Sequence, residues 1–340
     1  MGITYKDAGV DINAIRKSQE SIGRLIKTTH VKTPTIHGFG HYAGLVEIPG
    51  NMLLATHTDG VGTKVVIANM MRKFDTVGID CIAMNVNDVI CVGATPTSFV
   101  DYIAASRNEP TIFDDLIRGL SVGARSADVP IVGGETAIMT DMFAGDGFAF
   151  DLAGTVTGLV AKDRLVLGDD IQTGDVIVGA HSSGIHSNGY TLARNALFPR
   201  YTIHDTIRGV GRIGDALLTP TRIYVLPVLK ILQECIVHGL AHITGGSFAK
   251  LSRLANVGFD VDSLPAVPPI MALIQEQGVD DEEMYKTFNM GVGFCVILPK
   301  DHADRAVSIF KAYDIESDVI GTITDVKGVR VNSCVLSYIG

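Results

Sequence analysis

The chain has 340 residues, 46% of them hydrophobic and 19% charged, which supplies apolar material for two packed domains and excludes a disordered chain. A formal net charge of -9 excludes any general attraction to nucleic acid or to an anionic membrane, so a phosphate group would be held locally by backbone N–H groups, a few lysines or a carboxylate-bound metal. The five cysteines form no C-x-x-C pair, which argues against a zinc site or disulfide framework and for a reducing, cytoplasmic compartment; no signal peptide and no membrane span are expected.

In chain order, residues 11–27 keep helical spacing through Ile12, Ile15, Ile22, Leu25 and Ile26, with Asp11 as the N-cap. A glycine loop at 37–44 runs into a strand, and residues 51–58 form a short apolar strand that delivers Asp59. Residues 76–93 predict a helix closed by Gly93 and Pro96. A strand at 97–106, a helix at 111–128, a buried strand at 129–134 and a long alternating strand at 148–160 follow. The polar, turn-rich stretch 161–175 sets a domain boundary near 168–172, dividing residues 1–169 from 170–340. Beyond it come a strand at 176–180, a helix start at 188–198 and a helix at 224–235 whose internal Pro227 suggests a kink. Residues 241–255 read as strand, glycine turn and helix; a buried strand at 290–299, a helix at 301–313 and short strands end the chain. The mixture of both element types predicts an α/β (α+β) architecture.

Several motifs carry chemistry. "HTDGVGTK" at 57–64 is not a P-loop, because Thr63 precedes the lysine and Val65 follows it. An acid at a strand end nevertheless suits Mg²⁺, which takes one or two carboxylates plus phosphate oxygens in nucleotide sites. Gly60 and Gly62 would admit a phosphate and Lys64 would offset its charge; a plain turn with a solvated lysine reads equally well. On the 76–93 helix, Asp80, Met84, Asn87, Asp88 and Cys91 share a stripe with no lysine, arginine or glutamate, which favours a metal-facing stripe over an ordinary solvated one. "VGGETA" again places an acid, Glu135, after an apolar run. Asp59, Asp88 and Glu135 are thus expected to gather around metal and phosphate, the alternative being three unrelated turns. In "HSSGIHSNGY", His181 stands where a nucleophile elbow needs glycine, so the loop suits anion or substrate binding, or merely caps a helix. "GFGHYAG" is one residue too long for a dinucleotide fingerprint and precedes its strand.

Together, "YKDAGVDI", "TDGVGTK", "GIDCIAMNVNDV", "DYIA", "VGGETA", "SSGIHSNGY", "HITGG" and "NMGVGF" run in the order of the aminoimidazole ribonucleotide synthetase (phosphoribosylformylglycinamidine cyclo-ligase) family, which the chain resembles from Tyr5 to Phe294. The resemblance implies a two-domain chain: residues 1–169 bind ATP and dimerise by pairing sheets across the interface, and residues 170–340 bind substrate. It implies a soluble homodimer that uses ATP and Mg²⁺ to close the imidazole ring of formylglycinamidine ribonucleotide, releasing ADP and phosphate, in de novo purine biosynthesis. Asp59, Lys27 and His186 would be catalytic; Gly60, Gly62, Thr63 and Lys64 would contact the nucleotide; Asp59, Asp88 and Glu135 would hold metal; and Ser187, Asn188, Gly245 and Gly246 would contact the substrate.

The chain departs from the family pattern after "GGETA", after "DYIA" and after "HITGG", where Ser247 replaces a third glycine and "AKLSRLA" follows; Ser247 and Arg253 are the candidates to replace the lost substrate contacts. Two other readings remain: a divergent relative that uses ATP to activate a different small substrate, and a silent ATP-binding scaffold. The retained Asp59, Lys64, Asp88 and Glu135 argue against silence.

Overall fold

The structure, a computed structural model, describes residues 12–31, 35–36, 41–143 and 147–336; the Asp11 cap, residues 5–11 of the first motif, and Gly38 and Gly40 lie outside them. The N-terminal half comprises α1 (Ile12–Lys27), β1 (Thr35–Ile36), β2 (Gly44–Ile48), β3 (Met52–Gly60), α2 (Lys64–Met71), α3 (Asp75–Ile90), β4 (Thr95–Ala105), α4 (Pro110–Ser126), β5 (Ile131–Ile138) and β6 (Phe150–Ala161). Its strands form a six-stranded sheet in the order β1-β2-β3-β6-β4-β5, antiparallel except for the β4–β5 pair that α4 connects.

β6 shows how the pattern sets the layers. Burial alternates without a break from Phe150 to Ala161, one face packing under α3 and the other staying half-exposed. α4 lies against α3 rather than against the sheet's open face. The approach is close enough that a Cβ on Gly119 would fall 1.8 Å from the Asp75 carbonyl oxygen, so the α3–α4 contact requires glycine there.

β5 corrects one expectation. The strand at 129–134 is not buried. It is the edge strand, it continues to Ile138, and residues 132–136 are exposed. A short apolar run does not distinguish a core strand from an edge.

The C-terminal half comprises β7 (Val176–His181), α5 (Tyr190–Leu197), β8 (Thr206–Ile207), β9 (Gly211–Arg212), α6 (Ile213–Leu217), α7 (Val225–Glu234), β10 (Gly239–His242), β11 (Gly258–Val261), α8 (Pro269–Gln275), α9 (Asp281–Thr287), β12 (Val292–Leu298), α10 (Ala303–Ala312), β13 (Ser317–Thr324), β14 (Gly328–Val331) and β15 (Cys334–Leu336). Seven strands form a second sheet in the order β10-β12-β7-β13-β11-β14-β15, with β12 buried along its whole length. Pro227 falls in the first turn of α7, where its missing N–H has no intrahelical acceptor to lose, so it requires no kink. After β10, a 3₁₀ segment (Ser247–Arg253) takes the place of the expected α-helix. Gly246 and Ser247 both have positive φ there, and Ser247 Oγ donates to the Phe288 carbonyl at 2.6 Å, which pins the start of the turn.

The α3 stripe does more than the metal-facing role expected of it. Asp80, Met84, Asn87, Asp88 and Cys91 are all buried, none more than 6% exposed. The stripe is neither solvated nor apolar-packed; it docks onto the C-terminal half, next to α7 and β10. Asn87 shows how: its Oδ1 accepts from the Tyr224 amide at 2.9 Å and its Nδ2 donates to the Arg222 carbonyl at 2.8 Å. A buried amide satisfied in this way holds the two halves in one register.

Candidate functional site

The end of β3 and the middle of α3 meet through Asn85. Its Oδ1 accepts from the Asp59 amide at 2.9 Å, and its Nδ2 donates to the Asp59 carbonyl at 3.1 Å and to the Cys81 carbonyl at 2.9 Å. The Asp59 backbone is thereby fixed, and its Oδ1 accepts from the Gly60 amide at 2.8 Å. One turn along α3, Asp88 Oδ1 accepts from His242 Nδ1 at 2.7 Å, while Asn87 Nδ2 lies 3.4 Å from His242 Nε2. An amide nitrogen can only donate, so His242 carries its proton on Nδ1 and is the neutral tautomer. Burial pushes Asp88 up, but the His242 hydrogen bond together with the charges of His242, Lys250 and His57 outweighs it and holds the carboxyl below its usual range. Burial also lowers His242, against the pull of Asp88.

Asp59 and Asp88 open into one cavity of about 280 Å³, lined by His41, Tyr42, His57, Thr58, Asp59, Asp88, Lys250, Arg253 and Leu254. His57 Nε2 lies 3.5 Å from Asp88 Oδ2. Asp59 is shifted up, first by burial and then by the Asp88 carboxylate. Across the cavity, Lys250 rises from the 3₁₀ turn, its Nζ donating to Thr244 Oγ1 and lying 5.8 Å from the centre of the Tyr42 ring. Burial lowers the Lys250 ammonium, opposed chiefly by Asp88. The cavity is therefore built by both halves of the chain: two carboxylates from one side, two cations from the other.

The residues present fit a magnesium ion in one respect. Two carboxylates close enough that Asp88 adds to the upward shift burial gives Asp59 are the kind of donor pair that Mg²⁺ takes beside phosphate oxygens and water. Among the described residues no group of three or more His, Cys, Asp or Glu side chains encloses a metal by itself. Glu135 is not brought to the pair. It stands in register with Tyr102 and so shares the exposed face of the sheet, whereas Asp59 pairs with Gly154, which pairs with Asp101 on the helix-covered face. Asp101 is the acid the sequence reading missed in that row. Gly134 makes room for it, since a Cβ there would fall 2.3 Å from Asp101 Oδ1, and burial shifts the Asp101 carboxyl up.

The other expected residues divide as follows. Gly60 follows Asp59 directly, while Gly62 and Thr63 are exposed at the start of α2, outside the cavity lining. Lys64 is a correction: its Nζ is wholly buried, 2.7 Å from Asp80 Oδ2, and donates to the carbonyls of Thr219 at 2.7 Å and His186 at 3.1 Å. Three acceptors occupy its three N–H donors, so in this arrangement it offers no charge to a phosphate. His186 likewise faces the interior. It is fully buried with φ +59°, its Nε2 accepts from the Ser183 amide at 3.2 Å, and burial drives its pKa well down. Lys27 is exposed at the end of α1 and does not line the cavity.

Ser187 and Asn188 do come together with Gly245. Ser187 Oγ lies 3.1 Å from Thr221 Oγ1, Asn188 Oδ1 is 2.9 Å from where a Gly245 Cβ would be, and Asn188 Nδ2 is buried without a hydrogen-bond partner. Gly246 follows in the same turn. Thr244, the residue next to Gly245, accepts from Lys250 and so ties this polar corner to one wall of the cavity. Lys250 itself had no signal in the sequence beyond one cation in an altered loop.

Residues 40–160 match the family described as AIR synthase related protein, N-terminal domain, and residues 172–333 match its C-terminal domain. Among curated relatives, phosphoribosylformylglycinamidine cyclo-ligase of Methanocaldococcus jannaschii is 48% identical, covering 98% of this chain and 95% of its own. The Pyrococcus furiosus protein of the same name is 44% identical over 99% of this chain and 100% of its own. Solved structures of similar fold include thiamine-monophosphate kinase from Stenotrophomonas maltophilia, with a TM-score of 0.64 at 20% identity over 91% of this chain and 94% of that one. Thermotoga maritima PurL complexed with ADP gives a TM-score of 0.59 at 19% identity, covering 89% of this chain and 45% of that one.

Proposed function

The chain belongs to the phosphoribosylformylglycinamidine cyclo-ligase family of AIR synthase related proteins, and from that membership we infer that it closes the imidazole ring of formylglycinamidine ribonucleotide, with ATP as co-substrate, in purine biosynthesis. The observation that carries this reading at the site is the shared cavity, in which Asp59 and Asp88 from one half face Lys250 and Arg253 from the other. An ATP-dependent ring closure requires such a meeting of an anionic, metal-holding wall with a cationic, substrate-facing one.

In the reaction the formyl amide oxygen attacks the γ-phosphorus, forming an O–P bond while the bond to the β–γ bridging oxygen breaks and its electron pair leaves with ADP. The neighbouring amine then attacks the activated carbon. The C–N bond forms, the C–O bond breaks with release of phosphate, and a proton leaves the nitrogen. Both steps need positioning and charge neutralisation more than covalent help from the protein. Asp59 and Asp88 are the residues that would hold Mg²⁺, which when bound offsets phosphate charge. Asn85 keeps Asp59 in place by clasping its backbone, and His242 keeps Asp88 ionised and oriented. Ser187, Asn188 and the Gly245–Gly246 turn form the substrate end, where the unpartnered Asn188 Nδ2 is a donor ready for a ligand oxygen.

The protein works in the cytoplasm as a homodimer that pairs through the open face of the N-terminal sheet. Val100 and Tyr102, each 38% exposed, stand on that face, and Val132 on the neighbouring edge strand is 64% exposed. A two-layer sheet left apolar on one side calls for a cover. In this arrangement residues 1–169 bind the nucleotide and residues 170–340 hold the ribonucleotide.

Purified protein incubated with MgATP and formylglycinamidine ribonucleotide is expected to yield ADP and the aminoimidazole product in equal amounts. ATP hydrolysis or ATP binding with no aminoimidazole product would overturn the reading and favour a different acceptor for the phosphoryl group.

A further inference from the structure

We propose that Lys250 is the cation that holds the phosphoryl group in transit between ATP and the formyl oxygen, the task that the lysine of "DGVGTK" is placed too deep to perform. The inference rests on the ring-closing reading and deepens it.

Its first support is the position of the two lysines. Lys64, beside the glycine turn, is sealed against Asp80 and two carbonyl groups. Lys250 lines the cavity with both candidate metal carboxylates and makes one hydrogen bond among the described residues, to Thr244 Oγ1. An ammonium carries three N–H donors, so Lys250 retains donors for a ligand in that cavity.

The second support is size and chemistry. A volume of about 280 Å³ is at the small end of ligand pockets, and among the described residues Tyr42 and Leu254 are the only large apolar side chains in the lining. The cavity has room for a phosphate-sized part of a ligand between its carboxylates and its cations. Asp59 and Asp88 would hold a metal ion that offsets phosphate charge, and Lys250 would add an ammonium donor to the same group, a pairing suited to clamping a phosphoryl group.

The third support is continuity. Thr244 ties Lys250 to the turn that abuts Asn188, so one short segment links the cation in the acids' cavity to the polar corner proposed for the ribonucleotide.

The test uses the full-length chain with Lys250→Met and Lys250→Ala, measuring thermal unfolding, kcat, KM for ATP and for the ribonucleotide, and ADP affinity. Lys250→Met is expected to lower kcat by about 10²–10³-fold while leaving ADP, which lacks the transferred group, bound as in the wild type. Methylammonium is expected to restore part of the lost kcat in Lys250→Ala, which a purely structural role would not allow. If Lys250→Met does not fold, Lys250→Gln, which keeps a donor for Thr244, carries the same expectations. A folded variant with kcat within about threefold of wild type overturns the proposal. So does a rise confined to KM for the ribonucleotide, which would place Lys250 on the substrate's own 5′-phosphate. Wild-type protein that makes no aminoimidazole refutes the ring-closing reading; wild type that makes it beside a fully active Lys250→Met refutes the lysine assignment alone.

Discussion

Lys64 Nζ lies 2.7 Å from Asp80 Oδ2, with both side chains fully buried at the junction of the two halves of the chain. Asp80 Oδ1 in turn accepts from the Thr221 amide at 2.7 Å and from its hydroxyl at 2.6 Å, and Thr221 neighbours Ser187. One ion pair thus joins the glycine turn after β3, helix α3 and the substrate-side loops. Breaking a buried pair by removing one partner leaves an uncompensated charge, whereas replacing both with apolar groups is often tolerated. Lys64→Met is therefore expected to cost about 3–5 kcal/mol in chemical denaturation, with Lys64→Met/Asp80→Leu recovering most of it. ADP affinity of the folded single variant is expected to match wild type. A loss of ADP binding with unchanged stability would return Lys64 to the nucleotide.

His186 gives a pH dependence. Burial holds its folded-state pKa well below that of the unfolded chain, near 6.5 for an ordinary histidine. Below that value the unfolded state takes up a proton that the native state refuses, so stability contributed by neutral His186 is full above about pH 6.5 and declines as pH falls toward the folded pKa. Denaturation midpoints are expected to fall on acidification below that point, and His186→Asn is expected to flatten the slope. An equal slope in both proteins would contradict the assignment.

The open sheet face gives an assembly test. Tyr102→Glu places a charge beside Glu135 at the centre of the exposed β4–β5 surface. Sedimentation is expected to show a dimer for wild type and a monomer for the variant, each with the same far-UV spectrum. A variant that remains dimeric would locate the interface elsewhere.

Much of the layering was readable from period alone. The alternation along β6, the continuous apolar run of β12 and the helical spacing of α4 and α10 each follow from which residues a pleat or a helix turn brings to one side. Tertiary partnership was not readable. Lys64 reads as a phosphate lysine because glycines precede it; nothing local reveals that α3 presents Asp80 to it. Glu135 reads as a strand-end acid, but β5 continues past it and the pleat turns it away from Asp59, while Asp101 takes the covered face. The polar stripe of α3 reads as metal-facing because sequence shows only the helix, whereas the second half of the chain supplies hydrogen-bond partners for Asp80 and Asn87. Lys250, in the altered stretch after "HITGG", and His41 and Tyr42, in a glycine stretch that fits no dinucleotide fingerprint, are brought to the cavity only by three-dimensional closure.

The central claim is that Asp59 and Asp88 form the acidic wall of an ATP-dependent ring-closing site. Its most direct test is single-turnover formation of ADP and aminoimidazole product by wild type and Asp59→Asn across a magnesium titration. Because burial and Asp88 both disfavour the Asp59 charge, the variant is expected to fold with equal or higher thermal stability. The account predicts equimolar products from wild type and a loss of both in Asp59→Asn that added magnesium does not restore. Wild-type rates in the folded variant would contradict it.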